Sequence, residues 1–283
     1  MLLKPDWLRV RVMHTPNMDI VEEVIAGLGL NTVCREANCP NFAECFSRKT
    51  ATFLIMGTNC TRNCRFCNVR HDAPQALEHG EPKNVALAVK ELGIRYIVVT
   101  SVTRDDLPDG GAEHFAETVR EIKAASPGTV VETLIPDLMG SYSALKRVTD
   151  SRPDVISHNM ETVKALYPEV CPQAGYRRSL DLLRNVKLLD PGIRSKSGFM
   201  VGLGETEGQV FELLDDLRDA GCEFITIGQY LAPSKRHIPV HEYVEPARFE
   251  EYGATARRKG FAFVASAPLV RSSYNAGEPF DIK

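Results

Sequence analysis

The chain has 283 residues, of which 43% are hydrophobic and 25% are charged, an ordinary composition for a globular protein. Its formal net charge of −3 gives no general attraction to nucleic acid or to an anionic membrane, so we expect neither as a partner. No apolar run approaches the ~20 residues that span a bilayer, and the first residues lack the apolar segment of a signal peptide. We therefore expect a cytoplasmic monomer whose eight cysteines stay reduced.

Residues 1–50 show little regular pattern apart from one short predicted helix near residues 19–27. They contain a first cysteine triplet, Cys34, Cys39 and Cys45, with the spacing C-x4-C-x5-C. Clustered thiols that stay reduced favour metal binding over disulfide bonds. We interpret this segment as an N-terminal extension that carries a metal site.

From residue 52 onward, short apolar runs alternate with helical patterns. One helix has a clear predicted start and end, because Thr206 and Gln209 form a capping box and Gly221 is a suitable stop. Strands that alternate with helices predict a parallel sheet with right-handed crossovers. The number of units suits a partial (β/α)6-type barrel at residues 51–230, since a closed barrel needs eight. The predicted strands are 52–56, 96–101, 129–135, 154–158, 197–203, 224–230 and 262–266.

The rest of the chain, residues 231–283, is polar and loop-like and then helical. We interpret it as a C-terminal segment that closes the barrel domain rather than as a separate domain. The sequence thus predicts an α/β fold with one extension at each end.

A second triplet, Cys60, Cys64 and Cys67, follows the first strand of the alternating region with the spacing C-x3-C-x2-C. Reactive groups of such folds lie at the carboxyl ends of the strands, so this triplet has the position of an active site. Each triplet offers three thiolates, whereas an iron–sulfur cube normally takes four. An incomplete ligand set leaves one iron able to bind a small molecule. Zinc is the alternative, although zinc sites prefer four ligands in C-x2-C pairs.

The second triplet, with Phe66 before its last cysteine, resembles the motif of the radical S-adenosylmethionine (SAM) enzymes. The resemblance implies a 4Fe–4S cluster that binds SAM through its open iron and cleaves it to a 5′-deoxyadenosyl radical. Such a radical removes hydrogen from an unactivated carbon, which acid–base chemistry does not readily do. The protein would then have to orient cofactor and substrate and exclude water.

Sequence blocks outside this motif resemble the lipoyl synthases. They are KPDWLR at 4–9, EANCPN at 36–41, TSVTRDDL at 100–107, SHNMET at 157–162 and RSSY at 271–274. The resemblance covers nearly the whole chain and implies an auxiliary 4Fe–4S cluster on the first triplet, with Ser273 as its fourth ligand. Serine oxygen is a harder ligand than thiolate, so an iron held by Ser273 should leave more readily. The alternatives are the adjacent Ser272, or a Ser273 that only stabilises a turn.

The resemblance also implies the reaction and its partners. Two sulfur atoms from the auxiliary cluster would be inserted at carbons C6 and C8 of an octanoyl chain bound to a carrier-domain lysine. The carriers would be E2 subunits of 2-oxoacid dehydrogenases and the glycine cleavage carrier protein. A ferredoxin or flavodoxin would donate electrons, and an iron–sulfur carrier would rebuild the consumed cluster. The alternatives are another radical SAM sulfur transferase and a zinc-stabilised interaction protein without catalysis.

Polar and apolar residues near the later strand ends are candidate contacts of SAM. The resemblance implies contacts with its methionine part after the second strand, then with its ribose and carboxylate, and finally with its adenine. Each candidate is equally well explained as a surface or packing residue, because strand-end position is the only support for its role. The candidates are Phe66, Thr100, Ser101, Asp105, Asn159, Glu161, Lys196, Gln229 and Leu231.

Overall fold

The computed structural model describes residues 3–10 and 13–282. One eight-stranded sheet organises the fold, and its strands follow each other in chain order. The first strand pairs antiparallel with the second, and all later pairs are parallel. The strands are β1 (Asn31–Thr32), β2 (Thr52–Ile55), β3 (Tyr96–Ser101), β4 (Val130–Leu134), β5 (Val155–Ser157), β6 (Arg194–Val201), β7 (Phe224–Gln229) and β8 (Phe263–Ser266).

The partial barrel predicted from the sequence is confirmed. Strands β2 to β8 occupy the seven predicted positions, and in the described part of the chain β1 and β8 do not pair, so the barrel stays open. The division of the chain at residues 50 and 230 stays a prediction. Both flanking segments contribute a strand to the same sheet, since β1 joins one edge and β8 the other.

Helices connect the parallel strands. Helix α9 (Glu207–Asp219) begins with the predicted capping box, in which Thr206 accepts from the backbone of Gln209 and the Gln209 side chain accepts from Thr206 N–H. Its apolar side is buried, as expected for an amphipathic helix on a sheet. The α-helices are α1 (Pro16–Gly27), α2 (Val33–Glu36), α3 (Phe42–Ser47), α4 (Glu81–Leu92), α5 (Ala112–Ala125), α6 (Tyr142–Asp150), α7 (Tyr167–Val170), α8 (Tyr176–Leu189), α9 (Glu207–Asp219) and α10 (Pro246–Arg258). Short 3-10 turns are Asp6–Leu8, Leu138–Gly140, Lys164–Leu166 and Glu278–Phe280.

Residues 276–282 cover the amino-terminal end of the barrel. The Phe280 ring lies between Tyr96 and Phe224, the first residues of β3 and β7, with ring centroids 5.7 and 6.2 Å apart. Ala276 and Ile282 pack into the same apolar cluster. This end of the barrel is therefore filled by side chains, and the carboxyl ends of the strands are the end at which a substrate can enter.

Residues 3–10 and 13–282 contain no helix that is both long and apolar enough to cross a bilayer.

Candidate active site

The second triplet lies on the loop that follows β2, at the carboxyl end of the sheet. Cys60, Cys64 and Cys67 are half-buried free thiols. The sulfur of Cys60 accepts backbone N–H groups from Arg62 at 3.4 Å and from Thr103 at 3.3 Å. These two bonds hold the Cys60 sulfur between its own loop and the segment that follows β3.

The first triplet lies on two short helices and the turn between them. Cys34 belongs to α2, Cys45 belongs to α3, and Cys39 lies between the two helices. Asn38 has a φ of 52°, a left-handed conformation that asparagine tolerates well, and it reverses the chain ahead of Cys39. The bend brings the three thiols close enough to act on each other's pKa.

The thiols of each triplet are close enough to repel each other's charge. Burial raises the pKa of Cys34 to about 11 and that of Cys45 to about 12, and neighbouring Cys39 acts in the same direction. In the second triplet, burial raises the pKa of Cys67 to about 11 and also raises that of Cys64. A bound metal centre supplies the positive charge that holds such thiols in the thiolate form. Both triplets therefore fit metal clusters chemically.

A single zinc ion is the alternative that the two triplets leave open. Within the described ranges, no group of three His, Cys, Asp or Glu side chains is placed to hold one metal ion. A zinc site needs its ligands to converge on one point at about 2.0–2.3 Å. The choice between zinc and an iron–sulfur cluster at each triplet stays a prediction.

Arg62, inside the second triplet, ties this loop to the ends of two neighbouring strands. It donates to both carboxylate oxygens of Asp105, from Nε at 2.6 Å and from Nη2 at 2.9 Å. It also donates to both oxygens of Asp137, at 3.0 and 2.7 Å, and Asp137 accepts a further bond from Arg178. Burial alone would raise the pKa of Asp137, but the hydrogen bonds from Arg62 hold it below its usual value. The loop is thus fixed by a buried ion network.

Replacing Arg62 by glutamine should lower the free energy of unfolding by about 3 kcal/mol, because it leaves buried carboxylates without their main cation. Urea unfolding of the metal-free protein under anaerobic conditions measures this change. The matched control is Arg120→Gln, which removes an exposed pair with Glu113 and should cost less than about 1 kcal/mol. Equal small losses in the two variants would contradict the role given to Arg62.

The C-terminal RSSY block lies against helix α3. The Tyr274 hydroxyl group donates to the Glu44 carboxylate, with oxygen distances of 3.0 and 3.2 Å. Just before the block, Leu269 O accepts from Asn41 Nδ2 at 2.7 Å, a contact between residues 228 positions apart. The backbone itself closes the turn, from Tyr274 N to the carbonyl of Arg271 at 3.0 Å. The segment that contains Ser272 and Ser273 is therefore anchored on both sides next to the first triplet.

Two of the predicted SAM contacts have buried polar atoms that lack a partner. Ser101 Oγ, at the end of β3, and Asn159 Oδ1, just after β5, form no hydrogen bond within the described structure. A buried polar atom without a partner costs about 1–3 kcal/mol, so both atoms fit a polar ligand at this edge. Glu161 lies near the second triplet, because its charge helps to raise the pKa of Cys64. Burial raises the pKa of Glu161 itself to about 7.

Lys196 is not at a strand end, contrary to its predicted position. Strand β6 begins three residues earlier than predicted, so Lys196 is the third of its eight residues. Its buried Nζ donates to both carboxylate oxygens of Glu132, at 3.0 and 2.8 Å. Glu132 also accepts from the hydroxyl groups of Tyr96 and Ser157. The ammonium group of Lys196 is thus paired with a carboxylate inside the barrel, and its contact with SAM stays a prediction.

Gln229, the last residue of β7, uses its side chain to hold the following loop. Its Nε2 donates to the carbonyls of Tyr230 at 3.0 Å and Glu242 at 2.9 Å, and its Oε1 accepts from Val244 N at 2.8 Å. This side chain is therefore committed to the backbone, which weakens its predicted contact with adenine. Leu231, two residues later, is half-buried and stays a candidate.

The other predicted contacts are at the expected edge of the sheet. Thr100 Oγ1 donates to the carbonyl of Leu134 at 2.9 Å, and its lone pairs can still accept. Both oxygens of Asp105 already accept from Arg62, so a contact of Asp105 with the cofactor would have to form beside this ion pair. Phe66 is half-buried among apolar residues. Their roles in binding SAM stay predictions.

Comparison with known proteins agrees with this arrangement. The family model described as the radical SAM superfamily matches residues 54–217. Methylornithine synthase has a similar fold, with a TM-score of 0.57 at 15% identity, covering 91% of this chain and 87% of that chain. The FeFe-hydrogenase maturase HydG from Carboxydothermus hydrogenoformans gives a TM-score of 0.58 at 13% identity, covering 94% and 77%. The fold and the matched region define a radical SAM protein.

Relatives of much higher identity cover almost the whole chain. A lipoyl synthase from Alkaliphilus metalliredigens is 55% identical over 278 residues, which cover 98% of this chain and 96% of that protein. A lipoyl synthase from Caldicellulosiruptor bescii is 57% identical over 281 residues, covering 99% and 97%. The chain therefore belongs to the lipoyl synthases, and the resemblance drawn from the cysteine triplets and the sequence blocks is confirmed.

Proposed function

We propose that this chain inserts two sulfur atoms, at carbons C6 and C8, into an octanoyl chain attached to a lysine of a carrier domain. The observation that carries the proposal is the presence of two separate thiol triplets in one chain. Generation of a radical needs only the triplet at the carboxyl end of the sheet. The first triplet, which is covered by a different part of the chain, supports an additional cluster that supplies sulfur.

Cys60, Cys64 and Cys67 would hold the cluster that binds SAM, and Ser101 and Asn159 offer unpaired polar atoms to the cofactor. When bound, this cluster and SAM supply a radical able to remove hydrogen from an unactivated carbon. The protein's own part is to hold the loop rigid through the Arg62 ion network and to keep water away. Half-burial of the three thiols supports such a site, because it leaves room for a ligand while limiting solvent.

Cys34, Cys39 and Cys45 would hold the auxiliary cluster, with Ser273 as the fourth ligand. The anchoring of the RSSY block next to α3 supports this role. The turn is closed by its own backbone, so it does not depend on a serine hydroxyl group, which weakens the alternative that Ser273 only stabilises a turn. The weaker match of serine oxygen to iron would mark the iron that leaves when sulfur is given up.

Changing Ser273 to cysteine should keep or strengthen the auxiliary cluster and suppress lipoyl product to a small fraction, because a thiolate ligand releases its iron less readily. Iron content and product mass measure the two effects separately. Ser272→Cys is the matched control and should leave product formation near that of the unaltered protein. Full product formation by the Ser273 variant would contradict its role as the ligand of the departing iron.

The partners that we propose follow from this reaction. Its substrates are octanoylated carrier domains of 2-oxoacid dehydrogenase E2 subunits and the glycine cleavage carrier protein. A ferredoxin or flavodoxin donates electrons, and an iron–sulfur carrier restores the auxiliary cluster. We infer a cytoplasmic location, because thiols that bind clusters need a reducing compartment.

The decisive experiment is anaerobic turnover of an octanoyl-lysine peptide, with mass spectrometry to detect two added sulfur atoms. The reconstituted protein should be brown and contain about eight irons per chain, as two cubes require. SAM cleavage without a sulfur-containing peptide would favour another radical SAM sulfur transferase. A colourless protein that contains zinc would favour an interaction protein without catalysis.

A further inference from the structure

A turn in the segment after β7 is fixed directly against the second triplet. His237 donates from Nε2 to the Cys67 carbonyl at 3.0 Å, and its Nδ1 lies 2.9 Å from the Ser234 hydroxyl oxygen. Ile238 N donates to the carbonyl of Arg65 at 3.2 Å. Bonds to both Arg65 and Cys67 hold the turn and the triplet loop together as one unit.

The outer side of this unit is positively charged. Lys235 and Arg236, at the tip of the turn, are exposed, and within the described residues neither forms an ion pair with a carboxylate. Arg65 adds a third exposed cation, and its partner Glu169, at 3.4 Å, is itself more than half exposed. The surface of this unit thus carries three cations and one carboxylate, although the whole chain has a formal net charge of −3. We name Arg65, Lys235 and Arg236 the triplet-edge patch.

The patch lies beside the loop that carries the second triplet. The amino-terminal end of the barrel is filled by residues 276–282, and its other end is needed for cofactor and substrate. The outer surface of the triplet loop, where Asn63, Arg65 and Asn68 are exposed, is left for a donor protein to approach the second triplet. Electron-transfer contacts between proteins are typically small and weak, and complementary charge speeds their formation.

We propose that the triplet-edge patch is the docking surface for an acidic one-electron carrier protein, an inference that rests on the proposed function. In the docked complex the reduced carrier loses one electron and the cluster at the second triplet gains it, and no bond forms or breaks. His237 follows Arg236 in the sequence and donates to the carbonyl of Cys67, one of the three proposed cluster ligands. Their hydrogen bond keeps the docking surface at a constant position relative to the cluster.

Reversing the two charges at the tip, with Lys235→Glu and Arg236→Glu, tests the proposal. Binding of an oxidised flavodoxin at low ionic strength, measured by calorimetry on the reconstituted protein, should weaken about tenfold or more. The affinity should also lose most of its dependence on salt, since charged groups at the rim of an interface set that dependence. The same flavodoxin should bind the unaltered protein more weakly as salt is added.

The matched control is Arg257→Glu with Arg258→Glu, which makes the same change of charge on exposed residues at the end of α10. Because α10 leads into the amino end of β8, these arginines are at the opposite end of the barrel. The control should bind flavodoxin as the unaltered protein does. Equal weakening in both double variants, or unchanged binding in the tip variant, would overturn the proposal.

A small reductant separates docking from the chemistry of the cluster. Dithionite should reduce the cluster of the tip variant as fully as that of the unaltered protein, whereas reduced flavodoxin should reduce it more slowly, as followed by electron paramagnetic resonance. If the tip variant instead loses binding of an octanoylated carrier domain and keeps flavodoxin binding, the patch serves the substrate and the proposal is wrong. SAM cleavage driven by dithionite tests the proposed function by itself, so either idea can fail without the other.

Discussion

Alanine at any cysteine of the second triplet is expected to abolish both SAM cleavage and sulfur insertion, whereas alanine at any cysteine of the first triplet should abolish only sulfur insertion. The two triplets lie on separate elements, one on the loop after β2 and the other on α2, α3 and the turn between them. Loss of a thiolate from one cluster therefore leaves the scaffold of the other intact. Cys64→Ala and Cys39→Ala are suitable variants. Methionine and 5′-deoxyadenosine report cleavage, and peptide mass reports insertion.

Cys222→Ala is the control for the loss of a thiol as such. Cys222 is fully buried and precedes β7, and it belongs to an apolar cluster that does not include the first triplet. Its replacement should retain both activities, with a modest loss of stability from the smaller side chain. Lipoyl product from Cys39→Ala would refute the division of work between the clusters, as would SAM cleavage by Cys64→Ala.

Changing Gly228 to alanine should nearly abolish product formation, although Gly228 is not a predicted ligand. A methyl group at this position of β7 would fall well inside van der Waals contact of the Val270 carbonyl group, immediately before the RSSY block. The segment has to move away from β7, which costs about 1–3 kcal/mol and displaces Ser273 from the first triplet. Iron content should fall from about eight toward about four per chain, because only one cube is affected.

SAM cleavage should persist in this variant, since the added methyl group meets Val270 and Arg271 rather than the loop of the second triplet. Gly208→Ala is the matched control. An added methyl group there meets no atom within 4 Å, and alanine is the better helix former in α9. The control should keep full activity and stability. Retention of both clusters and full activity by the Gly228 variant would show that the RSSY segment is not essential at this position.

The repeated part of the fold was predictable because its signals are local. Strand β3 has the predicted bounds, and the capping box at Thr206 is present, since both depend on residues close in sequence. The cysteine spacings identified both triplets for the same reason. Strand β1 and helices α2 and α3 were missed, because they have two to six residues and offer no full period of apolar positions.

Contacts between distant residues could not be read from the sequence. Arg62 binds Asp137 across 75 positions, and neither residue belongs to a pattern that predicts the other. The packing of Phe280 at the amino-terminal end of the barrel is a further example, because a single aromatic residue in a polar segment has no period. The start of β6 was predicted three residues late, because the strand begins with residues that also fit a loop, and Lys196 therefore lies inside the strand.

The bond between Asn41 and Leu269 has a consequence for how the protein is made. At translation rates of 5–20 residues per second, the ribosome adds these two residues about 10 to 45 s apart. During that interval the thiols at residues 34–45 lack the contact with the segment at residues 269–274. The ion network of Arg62, Asp137 and Arg178 can form earlier, because those residues are synthesised earlier. We expect residues 269–274 to pack against the first triplet last during synthesis. Because only a few side-chain bonds hold them, we also expect them to open before the other elements around this triplet.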